Sequence, residues 1–140
     1  MTGIEKILVA YDGSEEARRA LDYGIGLAKL AGAQLGVVSV VAVHAAHPAR
    51  MSGVEPWDDD KVHEAELTDA VGVARAADID VEVHRPHGDP AEKLIEVADE
   101  HGYDHIVLGH RHLGHVERLV ARSVSAKVSA DSSSIVTIVK

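Results

Sequence analysis

Histidines are the first residues whose chemistry has to be asked about. The chain carries 10 of them in 140 positions, and His110, His112 and His115 crowd one short stretch with Arg111 among them. Imidazoles so close together can ligate zinc or nickel, with His44, His47 or Asp12 completing the shell, or they can stand in solvent as groups that titrate near neutral pH. The same stretch follows an apolar run, His105-Ile106-Val107-Leu108, that stops at Gly109. Beyond it Val116, Leu119, Val120, Ser123, Val124 and Val128 recur at three- and four-residue steps. The reading is a strand, a glycine-initiated loop and an amphipathic helix. That order leaves free backbone N–H groups and the positive end of a helix dipole beside the loop, which suits an anion. Arg111 and Arg122 are the cations at hand to meet a phosphate with side chains.

Residues for turnover are harder to find. Ser14, Ser123, Ser125 and the serines at 132–134 lack a Gly-x-Ser-x-Gly setting, and no pair of acids falls in an acid–base motif. There is no Gly-Lys-Ser or Gly-Lys-Thr of a P-loop and no Gly-x-Gly-x-x-Gly after the first strand. With no Cys, thiolate nucleophiles, disulfides and sulfur-ligated metals are excluded together. A binding module is expected, not an enzyme.

The elements that must position these residues alternate. Ile7 to Ala10 form an apolar run typical of a strand buried on both faces. Asp12-Gly13-Ser14 turns the chain, and Ser14 caps a helix with Glu15 and Glu16 in its first turn and a stripe of Ala17, Leu21, Gly24 or Ile25, and Ala28, ending at Gly32. Gly24 and Gly26, inside that helix, suit close helix packing. Leu35 to Val43 read as a second interior strand, and His44 to Trp57 as a long loop. Three acids at 58–60 open a helix whose stripe is Val62, Leu67, Ala70, Val71, Ala74 and Ala77. Ile79 to His84 alternate apolar and polar, as an edge strand does. Asp89-Pro90-Ala91-Glu92 starts a helix that buries Leu94, Ile95 and Ala98 and stops near Gly102. The glycine loop and its helix follow, then a last strand, Ile135 to Val139. The alternation demands a mostly parallel sheet with helices on both faces, an α/β domain covering residues 1–140.

Two segments carry a family resemblance. Lys6-Ile7-Leu8-Val9-Ala10-Tyr11-Asp12-Gly13-Ser14 resembles the opening strand and Asp-Gly-Ser turn of the universal stress protein family. The stretch from Gly109 is similar to that family's C-terminal signature, in which a Gly, two residues, a second Gly and nine residues precede Gly-Ser or Gly-Thr. Gly109 and Ser123 match, whereas His112 and Arg122 stand where the other glycines belong. The resemblance implies a five-stranded open sheet of order 3-2-1-4-5, like the adenine nucleotide alpha hydrolases, with the ends of strands one and four side by side.

The resemblance also implies a nucleotide site. Asp12 would lie near the adenosine end, Val40 would offer backbone groups to adenine, and Gly109 and Ser123 would serve phosphate and ribose, with Ala10, Arg111 and Val124 beside them. The ligand would be ATP or AMP, with Mg2+ only where a nucleotide is bound. Side chains at 112 and 122 fill volume that a phosphate needs, so ATP binding is expected to be weak or lost unless Arg111, Arg122 and the histidines meet the phosphates instead. Alternatives from another class are a histidine-loop metal protein and a slow nucleotide hydrolase. The resemblance implies, lastly, a homodimer joined through Ile135, Val136, Thr137, Ile138 and Val139, apolar on both faces.

Charge and composition bound the partners. A formal net charge of −9 repels nucleic acid and anionic membranes, and no basic patch offsets it. The longest nearly apolar run, residues 35–46, is interrupted by Ser39 and His44 and falls short of the roughly 20 residues needed to span a bilayer. No charged region followed by a secretory apolar core opens the chain, so a cytoplasmic location is expected.

Overall fold

The computed structural model describes residues 3–42, 60–110 and 124–140. In chain order these form β1 (Lys6–Ala10), α1 (Glu15–Ala31), β2 (Gln34–Val38), β3 (Val41–Ala42), α2 (Asp60–Ala76), β4 (Val81–His84), β5 (His87–Gly88), α3 (Pro90–His101), β6 (His105–Gly109), a helical stretch α4 (124–131) and β7 (Ile135–Val139). Five strands make one parallel sheet in the order β4-β2-β1-β6-β7. Counting only its members along the chain, that is the 3-2-1-4-5 order expected.

The helices form where capping chemistry starts and stops them. Ser14 Oγ accepts from Ala17 N–H at the head of α1, and Gly32 ends it in the left-handed conformation (φ 67°) with its N–H on Ala28 O. In α3, Asp89 caps by accepting from Glu92 N–H, Pro90 takes the first turn, and Gly102 (φ 72°) closes the last. Residues 111–123, which include most of the glycine loop and the start of its helix, and residues 43–59, which include the long loop, lie outside the described residues.

Two apolar layers sandwich the sheet. Ile7, Val9, Leu35, Val37 and Val107 pack against α1 and α2, and on the other face Leu8, Val38, Ile106 and Leu108 pack against α3 and Val128. Strict alternation along β1 thus sends Ile7 and Val9 one way and Leu8 the other, all three with no exposed surface. Ala17, Leu21, Ile25 and Ala28 are buried as the α1 stripe requires. A Cβ on Gly24 would meet Val9 Cγ2 at 2.6 Å, so that glycine seats α1 on the sheet and not on another helix, as the sequence had suggested.

Three other expectations are corrected. The run from Leu35 to Val43 is not one strand: β2 ends at Val38, and β3 resumes at Val41 to pair with β5. The break falls at Ser39, whose N–H donates to His84 O while its hydroxyl is drawn to α2. Val62 does not join the buried stripe of α2 but is 53% exposed, because only Leu67, Ala70 and Ala74 of that helix are buried. On β4 it is Val83 that is exposed and His84 that is half-buried, because Tyr103 covers the polar face of this edge.

One buried polar group has a consequence for stability. His105 is buried, its Nε2 is 2.7 Å from Thr137 Oγ1, and its Nδ1 has no partner. Burial holds its pKa below the ordinary 6.5, opposed by the neighbouring Asp104. With the folded value depressed, the unfolded chain binds a proton that the folded one refuses. This contribution to stability is complete above pH 6.5 and is lost as the pH falls from there towards the folded pKa. Denaturation midpoints measured from pH 8 to 5 are expected to drop on acidification, by at most about 1.4 kcal/mol per pH unit for one proton. His105→Gln should flatten that limb.

Candidate functional site

The place to look is where the winding of the sheet reverses. β1 pairs with β2 on one side and β6 on the other, and the crossovers leave those two strands in opposite directions, the switch point beyond whose carboxyl ends open α/β sheets form their ligand crevice. Val9 lies opposite Val107. Continued by two residues, this register sets Gly109 level with Tyr11, one residue short of Asp12.

The turn after β1 is built around Asp12. Its Oδ1 accepts from Ser14 N–H at 3.0 Å and from Ser14 Oγ–H at 2.6 Å, and Gly13 between them takes φ 80°, a conformation side chains disfavour. The same Ser14 oxygen caps α1 at 3.1 Å from Ala17 N. One carboxylate therefore fixes both the turn and the head of α1. Asp12 remains only part-buried.

Gly109 is explained by the same helix. A Cβ there would fall 2.4 Å from Glu16 O and 2.6 Å from Glu16 C, both backbone atoms that cannot step aside. At Gly109 the end of β6 and the first turn of α1 meet backbone to backbone. Ala10 ends β1 and Val40 lies between β2 and β3, both half-buried, while Val124 opens the described part of α4 and packs on the layer formed with α3. Arg111, His112, His115, Arg122 and Ser123 lie outside the described residues, as do His44 and His47.

Polar groups that the sequence reading did not single out border the same end of the sheet. Tyr11 OH donates to Asp69 Oδ2 of α2 at 2.5 Å, and burial, followed by that carboxylate, pushes the phenol up to about 12. Ser39 Oγ is 2.6 Å from His63 Nδ1 and donates to Glu66 Oε1 at 3.1 Å, and His63 Nδ1 is 3.0 Å from the same carboxylate oxygen. A carboxylate only accepts, so the serine hydroxyl donates to Glu66, while the roles in the Ser39–His63 contact depend on the imidazole tautomer. Glu66 Oε2 sits 3.4 Å from where a Cβ on Gly13 would be. Two carboxylates, Asp12 and Glu66, thus flank one turn. The only hint in the sequence was Ser39 interrupting an apolar run, with His63 and Glu66 three apart on one helix face.

The pattern of the Universal stress protein family matches residues 3–140. The chain belongs to that family. It is 30% identical to universal stress protein YxiE of Bacillus subtilis (strain 168) over 145 residues, covering 96% of this chain and 98% of that one. It is 32% identical to stress response protein NhaX of the same organism over 164 residues, covering 97% and 98%. Among solved structures, a universal stress protein in complex with cAMP superposes with a TM-score of 0.74 at 28% identity, over 99% of this chain and 98% of the other. The universal stress protein fold, the α/β arrangement of the adenine nucleotide alpha hydrolases, accounts for the sheet order and the crevice described above.

If Gly109 serves main-chain packing, Gly109→Ala should lower stability with no nucleotide present. The expected loss is about 1–3 kcal/mol, the usual cost of forcing atoms into a filled site, read from urea denaturation. An unchanged midpoint would assign that glycine to the ligand alone.

Proposed function

We propose that the chain is a single-domain, dimeric universal stress protein that holds the adenosine end of an adenine nucleotide at the ends of β1 and β6 and does not turn it over. The observation that carries this reading is the polarity of the described part of the crevice. Asp12 and Glu66 place two carboxylates around Gly13, and the groups of a nucleotide that suit carboxylates are the ribose hydroxyls and the exocyclic amine. Phosphates are repelled by those carboxylates and need the loop at 110–123, where His112 and Arg122 replace the family's glycines. The cAMP complex of a relative supports an adenine nucleotide as ligand. ATP is then held weakly, Mg2+ enters only with a nucleotide's phosphates, and the reading places the protein in the cytoplasm, where adenine nucleotides are plentiful. The stress-response names of the relatives support a regulatory role.

Of the histidine-loop metal reading, His110 and Asp12 are described and the remaining ligands are not. The dimer reading rests on β7, which lies at the rim of the sheet with Ile135 61% exposed and Val136, Ile138 and Val139 only partly covered.

Calorimetry with adenosine, AMP and ATP tests the site. Adenosine and AMP are expected to bind at least as tightly as ATP. Asp12→Asn, which keeps an oxygen for Ser14 N–H but loses the charge, should weaken adenosine about tenfold, or about 1.4 kcal/mol. His112→Gly with Arg122→Gly should strengthen ATP and leave adenosine alone. ATP bound a hundredfold more tightly than adenosine, or an indifferent Asp12→Asn, would overturn the reading. Sedimentation at micromolar concentration should return twice the 14.9 kDa chain mass, and Ile135→Lys should shift it towards monomer.

A further inference from the structure

At the opposite rim of the sheet, away from the crevice, Glu82 and His84 alternate on β4 and so share a face. That face is covered from α3. Gly102 turns the chain back at the end of that helix, and Tyr103 lies across Gly36 of β2, the residue opposite Glu82. A Cβ on Gly36 would fall 1.9 Å from Tyr103 OH, so the glycine is what lets the phenol through. The hydroxyl then meets His84 Nε2 at 2.8 Å and fixes that imidazole in place. His101, the last residue of α3, brings a second imidazole to a centroid distance of 4.5 Å from the first. One ligand atom from each of Glu82, His84 and His101 lies within 4.8 Å of the other two.

We propose that Glu82, His84 and His101 form a site for a borderline divalent transition metal, zinc first among them. Two imidazoles and one carboxylate are the donor set that Zn2+ takes when three protein ligands leave a position for water. Tetrahedral zinc with bonds of about 2.0–2.1 Å holds its donors about 3.4 Å apart, so the present separations must close by little more than an ångström. Glu82 and His101 are exposed and can swing, while His84 is the anchored ligand. Tyr103 supplies the outer contact that orients a metal-binding histidine.

A second observation marks the place as one that draws positive charge. Lys6 Nζ lies 3.2 Å from Glu82 Oε2, donates to His101 O at 2.7 Å, and sits 4.6 Å over the centre of the Tyr103 ring. A carboxylate, the carbonyl end of a helix and the face of a ring thus converge on one ammonium. Lys6 is a cation built into the chain at the position a metal would approach, and it competes for Glu82. The metal binds by releasing Lys6 from that carboxylate.

The test is Zn2+ calorimetry on the whole chain, with Co2+ absorption reporting the ligand geometry. One saturable equivalent is expected in the parent protein. His101→Gln and Glu82→Gln, both at exposed positions, should each weaken it by at least about tenfold, the lower end of what losing even an outer contact costs. Lys6→Gln should tighten it. The triple variant His110→Gln, His112→Gln, His115→Gln should leave this equivalent in place. Loss of binding in that triple variant but not in His101→Gln, or no saturable binding in the parent chain, would overturn the assignment.

Discussion

Asp104 fastens the foot of β1 to the foot of β6. Its Oδ2 accepts from both Glu5 N–H and Lys6 N–H at 3.0 Å, its own N–H donates to Lys6 O at 2.9 Å, and its carbonyl accepts from Ile135 N–H at 3.0 Å. Three strands enter the sheet through one residue. The register that follows, Ile7 opposite His105 and Val9 opposite Val107, carries Gly109 to the level of Tyr11 and brings the end of β6 against the first turn of α1. A slip of one residue would send Ile7 and Val9 to the face that Leu8 now occupies and bury the wrong side of every neighbour. The crevice exists because this pairing is held at its foot and read out at its head.

What the crevice can recognise follows from which atoms are already committed. Asp12 gives one oxygen to Ser14, and Ser14 gives its own to the head of α1, so the turn is rigid before any ligand arrives. A turn fixed in advance needs no ordering on binding, which is where much affinity is otherwise lost. Gly109 cannot be read the same way. Its lack of a side chain is demanded by Glu16 O, and a match to a nucleotide signature at that position is compatible with a protein that binds none. The two carboxylates beside Gly13 are therefore the stronger ground for a nucleoside than the glycine is for a phosphate.

Local rules carried the sequence reading far. Ser14, Gly32, Asp89, Pro90 and Gly102 announce helix ends by chemistry confined to a few residues, and the structure uses all five. The apolar runs of β1 and β6 declared strands covered on both faces. What stayed hidden depends on residues distant in the chain. Nothing near Ser39 says that α2 will bring His63 and Glu66 to it, 24 and 27 positions on. Gly36 looks like a weak point in a strand until Tyr103 is laid across it. Val62 follows the period of its helix and is still exposed, because α2 buries only a narrow stripe against the sheet.

The two rims of the sheet are also treated differently, and the difference bears on what each can meet. On β4, Glu82 and His84 alternate with the valines, Lys6 reaches across to the carboxylate, and Arg85 just beyond the strand pairs with Asp60 and Glu64. Charges on a rim make it costly to add another strand, since each would have to be desolvated or repaired. On β7 the side chains are Ile, Val, Thr, Ile and Val, with no charge among them until Lys140. An apolar edge of this kind is open to pairing, and the same strand from a second copy is the one partner that would close the arrangement on itself. One rim is thus guarded by charge against a further strand, while the other presents an apolar strand without that guard.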